Sequence, residues 1–176
     1  MNPAWQIRTA RLVLSAVGAA DLAEIQALKA DPRVFAIMLG GVRPPARSAD
    51  ELAQDIRTWA ARGYGMFAVR DRAGGGLLGL AGLMERPDGL GIALRFAFWP
   101  EARGRGLARE AAGAVLRFGH ETVGLDRIVA VARESNFASR TVLGAIGMRE
   151  VSGFLQEGHP MLLFESVRTS SASSAR

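Results

Sequence analysis

The sequence predicts an α/β domain of the α+β type, with a mixed, mostly antiparallel sheet of six or seven strands flanked by about four helices. Two observations carry this prediction. Hydrophobic residues follow the helical period between residues 22 and 59, and over residues 66–99 they alternate as in strands. A helical segment next separates residues 90–99 from residues 127–132, which predicts a central strand-helix-strand unit with parallel strands.

The first elements follow from local signals. Residues 5–8 and 11–14 have the pattern of an entering strand. Asp21 and Glu24 have the spacing of a capping box, so we predict that a helix begins there and ends before Pro32.

A second capping box, Ser48 with Glu51, predicts a second helix that ends at Gly63. Its buried stripe is predicted to contain Leu52, Ile56 and Trp59.

The remaining elements alternate between strands and helices. Turn-forming clusters separate three strands, and the glycine-bearing loop that follows leads into a helix. The predicted strands are residues 66–70, 77–85, 90–99, 127–132, 148–155 and 161–167, and the predicted helices are residues 107–122 and 137–146.

The chain has the size of one domain. It contains 176 residues, of which 49% are hydrophobic and 22% charged, as in a globular protein with a sizeable core. We predict a single domain over residues 1–168. Residues 169–176 are small and polar with nothing to bury, and we expect them to form a flexible tail.

Composition also limits the function classes. The absence of Cys and the presence of only two His exclude a thiolate nucleophile and a Cys or all-His zinc site, so no metal is expected. The net charge is +5, but the basic residues are scattered, which disfavours a nucleic-acid partner. No apolar stretch approaches the roughly 20 residues that span a bilayer, and no signal peptide is evident. We therefore expect a cytoplasmic monomer or homodimer without a membrane partner.

The most informative segment is a loop rich in glycine and arginine before the helix that starts at Leu107. The free amides of a helix N-terminus attract anions, and Gly104 and Gly106 would let a phosphate approach the backbone closely. The expected ligand is a pyrophosphate. A dinucleotide fingerprint fails because Arg109 stands at the third glycine position, and a P-loop fails because it needs a lysine. A tight turn that serves only helix packing is the alternative interpretation.

The hexapeptide Arg103-Gly104-Arg105-Gly106-Leu107-Ala108 resembles the Arg/Gln-x-x-Gly-x-Gly/Ala signature of the GCN5-related N-acetyltransferase (GNAT) superfamily. Residues 9–14, 124–128 and 136–148 resemble, in the same order, segments of the branch that acetylates the N-terminal alanine or serine of ribosomal proteins. The resemblance covers nearly the whole chain and implies a GNAT-like fold.

The resemblance also implies an activity. The chain would be an acetyl-CoA-dependent N-acetyltransferase that moves the acetyl group to a primary amine, a peptide N-terminus or a small amine or amino acid, by direct attack in a ternary complex. Polycationic acceptors are disfavoured because the chain is net positive. Two alternatives stay open. One is transfer of a longer acyl chain, and the other is a regulatory or degenerate module that binds coenzyme A without transfer.

Family members place coenzyme A in a wedge that corresponds to the space between the strand ending at Trp99 and the strand ending near Ala132. The resemblance gives the backbone N–H of Phe98 the role of stabilising the oxyanion. Asn136 matches a cofactor contact, although a helix N-cap is an equally good interpretation. The implied cofactor-binding residues are Phe96, Ala97, Phe98, Arg103, Gly104, Arg105, Gly106, Leu107, Ala108 and Asn136.

The catalytic side chains usual in the family are absent. Its glutamates and its tyrosine align with Ala93, Val131 and Leu143. Ser139 matches a serine proposed as the acid, and a hydroxyl bonded to the local backbone is the alternative. Glu134 is the candidate base that we retain, with an ion pair to Arg133 as the alternative. Glu85, Glu157 and His159 are further candidate bases, and positioning with a water chain would need none.

Overall fold

An eight-stranded sheet forms the centre of the computed structural model, which describes residues 5–168. The strands are β1 (Gln6–Arg8), β2 (Leu12–Ala16), β3 (Met66–Asp71), β4 (Gly79–Glu85), β5 (Ile92–Phe98), β6 (Arg127–Arg133), β7 (Arg149–Gln156) and β8 (His159–Val167). Their order is β1-β2-β3-β4-β5-β6-β8-β7, and every neighbouring pair is antiparallel except β5 and β6. The predicted fold class and its central parallel pair are confirmed.

Within residues 5–168, five α-helices accompany the sheet: α1 (Leu22–Ala30), α2 (Pro32–Phe35), α3 (Pro45–Arg62), α4 (Leu107–Arg117) and α5 (Phe137–Ala145). The extra helix is α2, because the Asp31 carboxylate accepts a hydrogen bond from the Arg33 amide and starts a new helix at Pro32. The predicted helix over 107–122 is α4 followed by a π-helical turn, Phe118–Thr122.

The predicted entering strand is two strands. Thr9 makes the turn between them, because its side-chain oxygen accepts a hydrogen bond from the Leu12 amide at 3.0 Å. β1 then pairs antiparallel with β2. This extra strand raises the count from the predicted six or seven to eight.

Both predicted capping boxes are wrong. The Asp21 carboxylate accepts from the Gly18 amide, and Glu24 accepts from the Leu77 amide, so neither caps α1 as expected. α3 begins at Pro45, because proline suits the first helical position, and this places Ser48 inside the helix. The predicted C-terminal stop at Gly63 is confirmed, with φ of 71°.

The buried face of α3 also differs from the predicted stripe. Ile56 is 37% exposed, whereas Leu52 and Trp59 are buried as predicted. Ser48 is buried and Asp55 is half-buried, so the face that meets the interior carries two polar residues.

The core lies on both sides of the sheet. α4 packs on β4, β5 and β2 through small and branched side chains, including Leu107, Ala111 and Val115. α1 packs against α3. The rings of Trp59 and Phe118 contact Phe67, with centroid distances of 4.8 and 5.5 Å. Among the helices of residues 5–168, none combines the length and apolar character that a membrane crossing requires.

The two parallel strands at the centre of the sheet, β5 and β6, are hydrogen-bonded to each other over only a short part of their length. β5 pairs with β4 along all seven of its residues, but with β6 at one position, where Ala93 stands opposite Val129. Beyond this position, β5 and β6 do not pair with each other, although each keeps its other neighbour in the sheet, β4 and β8. We call the space between these two strand ends the central gap.

Candidate functional site

The backbone of β5 offers hydrogen-bond donors to the central gap. The Trp99 amide donates to the Leu78 carbonyl at 3.0 Å, which fixes the alternation of the ladder between β5 and β4. The N–H of Ala97 therefore points to β4, whereas those of Phe96 and Phe98 point away from β4 and into the central gap. An extended ligand in the gap would meet the N–H donors of Phe96 and Phe98. Ala97 would offer it only a side chain, because its N–H points to β4.

A glycine loop leads from the end of β5 to α4. Gly104 and Gly106 have φ of 72° and 73°, a conformation that other residues rarely adopt, and Gly106 is the N-cap of α4. Within the described residues, the backbone amides of 104–108 donate no hydrogen bond to a protein acceptor. Free amides at the positive end of a helix dipole suit the binding of a phosphate group.

The loop is held by residues from the start of the chain. Arg11 donates from Nη1 to the Arg105 carbonyl at 2.8 Å and from Nε to Glu110 of α4 at 2.7 Å. The Thr9 hydroxyl donates to the same carboxylate at 2.6 Å. Although burial acts to raise it, these bonds hold the pKa of Glu110 below its usual value. Residues 9–11 therefore fix the loop and the first turn of α4.

The three arginines of this region have different environments. Arg103 donates from Nη2 to the carbonyls of Phe98 at 3.1 Å and of Arg33 at 3.2 Å, so it ties the end of β5 to α2. Arg105 and Arg109 have exposed side chains. Leu107 is buried in the core, while its amide and that of Ala108 lie in the free first turn of α4.

Asn136 and Ser139 lie together at the start of α5. Asn136 is the N-cap of the helix, with Oδ1 accepting from the Ser139 amide at 3.2 Å. The predicted capping role is therefore confirmed, and the side-chain amide nitrogen stays available as a donor. The Ser139 hydroxyl makes no local backbone bond in the part of the chain that the structure describes, which removes the alternative interpretation of this residue.

The predicted bases do not lie together, because Glu85 stands opposite Ile92 at the start of β5, whereas the other three lie near the end of β6. Glu134 follows β6 and is exposed, and no ion pair joins it to Arg133 within residues 5–168, contrary to the alternative prediction. Glu85 pairs with Arg62 at 3.7 Å. Glu157 and His159 are exposed at the β7–β8 hairpin, next to Glu134, whose amide donates to Pro160 O.

Sequence reasoning missed a cluster of charged residues between α1, α3 and β5. Lys29 and Arg43 are 7% and 3% exposed, and both donate to Glu51, at 2.7 and 2.8 Å. Arg43 also lies over the Phe35 ring. Although burial acts to raise it, these cations hold the pKa of Glu51 below its usual value.

Two more members of this cluster are Asp55 of α3 and Arg95 of β5, both half-buried. Burial raises the pKa of Asp55 to about 6, against the opposing charges of Lys29 and Arg95. A sequence signal did exist. Arg95 interrupts an apolar strand. Asp55 follows Leu52 by three residues and precedes Trp59 by four, so the three share one face of α3.

Comparisons with known proteins concern the sequence and the fold of the whole chain. A family profile described as an acetyltransferase (GNAT) domain matches residues 11–149. A GnaT-family acetyltransferase from Bordetella pertussis is 26% identical, with a TM-score of 0.79 over 91% of this chain and 98% of that one.

Two less similar structures were solved with coenzyme A. The ribosomal L7/L12 α-N-protein acetyltransferase RimL is 15% identical, with a TM-score of 0.75 over 92% of this chain and 97% of that one. A spermidine N-acetyltransferase from Vibrio cholerae, with coenzyme A and spermine, is 19% identical, with a TM-score of 0.73 over 90% of this chain and 96% of that one. At these identities the likeness concerns the fold alone.

Proposed function

Since the chain belongs to the GNAT acetyltransferase family, and is thus an N-acetyltransferase that uses acetyl-CoA, we propose that it acetylates a primary amine by direct attack in a ternary complex. The observation that carries the proposal is the continuity of free donors. They run from the N–H groups of Phe96 and Phe98 in the central gap to the amides of residues 104–108.

The chain's own groups fit a coenzyme A thioester. The amides of the glycine loop would bind the pyrophosphate, and the gap-facing side of β5 would pair with the amides of the pantetheine arm as a further strand does. The N–H of Phe98 would donate to the thioester carbonyl oxygen as negative charge develops on it. The free amide nitrogen of Asn136 would hold the same arm from the side of α5.

Ser139 is the proposed acid. Its half-buried hydroxyl is free of local bonds and lies beside Asn136, so it can donate to the leaving thiolate. Glu134 is exposed, and no side-chain contact within residues 5–168 holds it against the site. A general base works best at a fixed position near the amine. We therefore assign that role to a group inside the site rather than to Glu134.

The acceptor in this proposal is a peptide N-terminus or a small amine or amino acid. The structures similar to this chain include both a ribosomal-protein acetyltransferase and a spermidine acetyltransferase. The net charge of +5 supports an acceptor that is not a polycation.

The phosphate site is tested with two matched variants, Gly106→Asp and Gly106→Asn. Both side chains meet the same positive φ, and a Cβ there has open space apart from Arg11 Nη2 at 3.6 Å, so both proteins should fold. The Asp variant alone places a carboxylate beside the pyrophosphate. We expect titration calorimetry to show lost coenzyme A binding for Gly106→Asp and measurable binding for Gly106→Asn.

Equal affinities in the two variants and the wild type would overturn the site assignment. A thiol-release assay over a panel of amines tests transfer itself, and an acyl-chain series with one fixed amine tests the preference for acetyl. Coenzyme A binding without turnover on any amine would instead favour the module that binds but does not transfer.

A further inference from the structure

The strongest unexplained feature of the molecule is that two side chains of opposite charge, Arg95 and Asp55, lie near each other without forming a salt bridge. Side chains alternate along β5, so Ala93, Arg95 and Ala97 share one face. Ala93 is the residue of β5 that still pairs with β6. Arg95 is the next residue on that face, so its backbone lies where the central gap opens, and its guanidinium reaches back to Met84 of β4, which stands opposite Ala93.

The guanidinium of Arg95 is poorly satisfied. In the described chain its one hydrogen bond runs from Nη1 to the Met84 sulfur at 2.9 Å, a weak acceptor, and no carboxylate lies within salt-bridge distance. Arg43, which is buried, has acceptors for its guanidinium. It donates to Glu51 and to the carbonyls of Leu39 and Gly41. Arg95 has donors to spare for an anion from outside the chain.

Asp55 is the opposite case on the facing helix. Across residues 5–168, its carboxylate takes part in no hydrogen bond or salt bridge, although Lys29, Glu51 and Arg95 are near enough to act on its charge. Lys29 is already bound to Glu51. On the same face of α3, the fully buried Ser48 hydroxyl also lacks a partner. Such groups are costly inside a protein unless a ligand satisfies them.

Arg95 of β5 and Asp55 of the facing helix α3 are a cation and an anion that lie near each other without a salt bridge, and together they complement a small molecule that carries both charges. We propose that the acceptor is an amino acid or another amine with a nearby carboxylate. Arg95 binds the carboxylate, and Asp55 binds the ammonium group and takes its proton. This rests on the proposed function, and it selects one of the acceptor classes named there. A peptide N-terminus lacks that carboxylate, and a polyamine would place positive charge against Arg95.

The proton and electron balance of the step is complete. The ammonium group gives one proton to Asp55, and the nitrogen lone pair then forms a bond to the thioester carbonyl carbon. The carbon–sulfur bond breaks, and its electron pair leaves on the coenzyme A sulfur. The second proton lost by the nitrogen neutralises that sulfur, and Asp55 returns its own proton to water. The products are the N-acetyl amino acid, the coenzyme A thiol and one proton.

The test compares the amino acids with their α-amides, which keep the amine and side chain but lose the carboxylate. For the wild type and the amino acid that it acetylates fastest, we expect kcat/KM for the acid to exceed kcat/KM for its amide by about 30-fold, within the range of a charge-assisted hydrogen bond. In Arg95→Gln this preference should fall to within about threefold, through KM, and Arg95→Lys should recover part of it. Arg57→Gln, an exposed change on α3, is the control that should keep the wild-type ratio.

Asp55 is tested by the pH dependence of kcat in Asp55→Asn, beside Glu134→Gln. Lys29, Glu51 and Arg95 surround Asp55 and remain in place in both variants. We expect Asp55→Asn to lower kcat at least about 100-fold and to remove the rise of kcat between pH 5 and 7, as loss of a general base does. Glu134→Gln should keep that rise.

Three outcomes overturn the inference while leaving the proposed function intact. They are equal use of amino acids and amides by the wild type, preference for a peptide N-terminus or spermidine, and a loss in Arg95→Gln that is the same for acid and amide. If acetyl-CoA binds but no amine is acetylated, the proposed function fails, and the inference fails with it.

Discussion

At the scale of the residue, the phase of α3 decides what faces the site. The capping spacing at Ser48 and Glu51 suggested a later start of the helix, and the spacing of Leu52, Ile56 and Trp59 suggested that Ile56 faces inward. The helix instead begins at Pro45, and its buried face contains Ser48, Leu52 and Trp59, so that Asp55 rather than Ile56 faces inward. Local propensity could predict that α3 exists and where it ends. It could not predict that the Asp55 carboxylate is half-buried, because Lys29 and Arg95, the cations near it, come from α1 and β5.

Asp55 has a consequence for stability that is separate from catalysis. Its folded pKa, about 6, is above the ordinary value of 3.8. Between these two values the folded protein keeps a proton that the unfolded chain has lost. The stability of the fold therefore falls as the pH rises through this window and is lowest, as far as this residue counts, above pH 6.

We expect Asp55→Asn to stabilise the protein at pH 7.5 by roughly 2 to 3 kcal/mol, because two pKa units correspond to about that free energy. The gain should vanish well below pH 4, where the Asp55 carboxyl is protonated in both the folded and the unfolded chain. Urea unfolding of the variant and wild type at several pH values measures it, with the exposed Asp50→Asn as control. A gain that does not change with pH would contradict the burial argument. A more stable but less active variant is typical of a functional site.

At the scale of the element, the glycine loop and α4 could be predicted well because their signals are local. The glycines at 104 and 106 adopt positive φ, and α4 begins at Leu107, as the sequence predicts. The role of residues 9–11 could not be predicted from spacing. Arg11 and Glu110 are far apart in the chain, and only the folded sheet brings them together.

The brace formed by Arg11 gives a prediction about affinity. Arg11→Lys keeps the charge, but one ammonium group cannot reproduce the bonds to both Glu110 and the Arg105 carbonyl. We expect the Kd for coenzyme A to rise about tenfold, which is about 1.4 kcal/mol, with an unchanged circular dichroism spectrum. Titration calorimetry measures the Kd. Arg8→Lys, on the exposed end of β1, is the control that should bind as the wild type does.

At the scale of the whole molecule, the sheet is continuous in topology but not in hydrogen bonding. The strand-helix-strand rule correctly predicted that β5 and β6 run parallel. Composition and periodicity did not indicate that they diverge after one pair. That expectation came from the family resemblance, because divergence depends on backbone geometry rather than on any residue type. A monomer or homodimer stays a prediction, which light scattering in solution can test.

Ligand binding should therefore be visible in the whole fold. Coenzyme A binds the folded chain, so at 100 times its Kd it should add about 2.7 kcal/mol of stability and raise Tm by roughly 5 to 10 °C. In hydrogen exchange, the amides of Phe96 and Phe98 should slow when coenzyme A is added, whereas that of Ala97 is already slow without it. Slow exchange at Phe96 and Phe98 in the free protein would contradict the open gap.

The central gap also limits how this protein can be improved. An unpaired strand edge at the outside of a sheet invites association with another chain, and the outer strand β7 carries charged residues and a bulge between Glu150 and Ser152 that discourage it. The inner edges of β5 and β6 have no such protection, because the co-substrate must reach them. A variant selected only for the thermal stability of the ligand-free protein would gain from backbone hydrogen bonds that join these two edges. The same hydrogen bonds would abolish its activity.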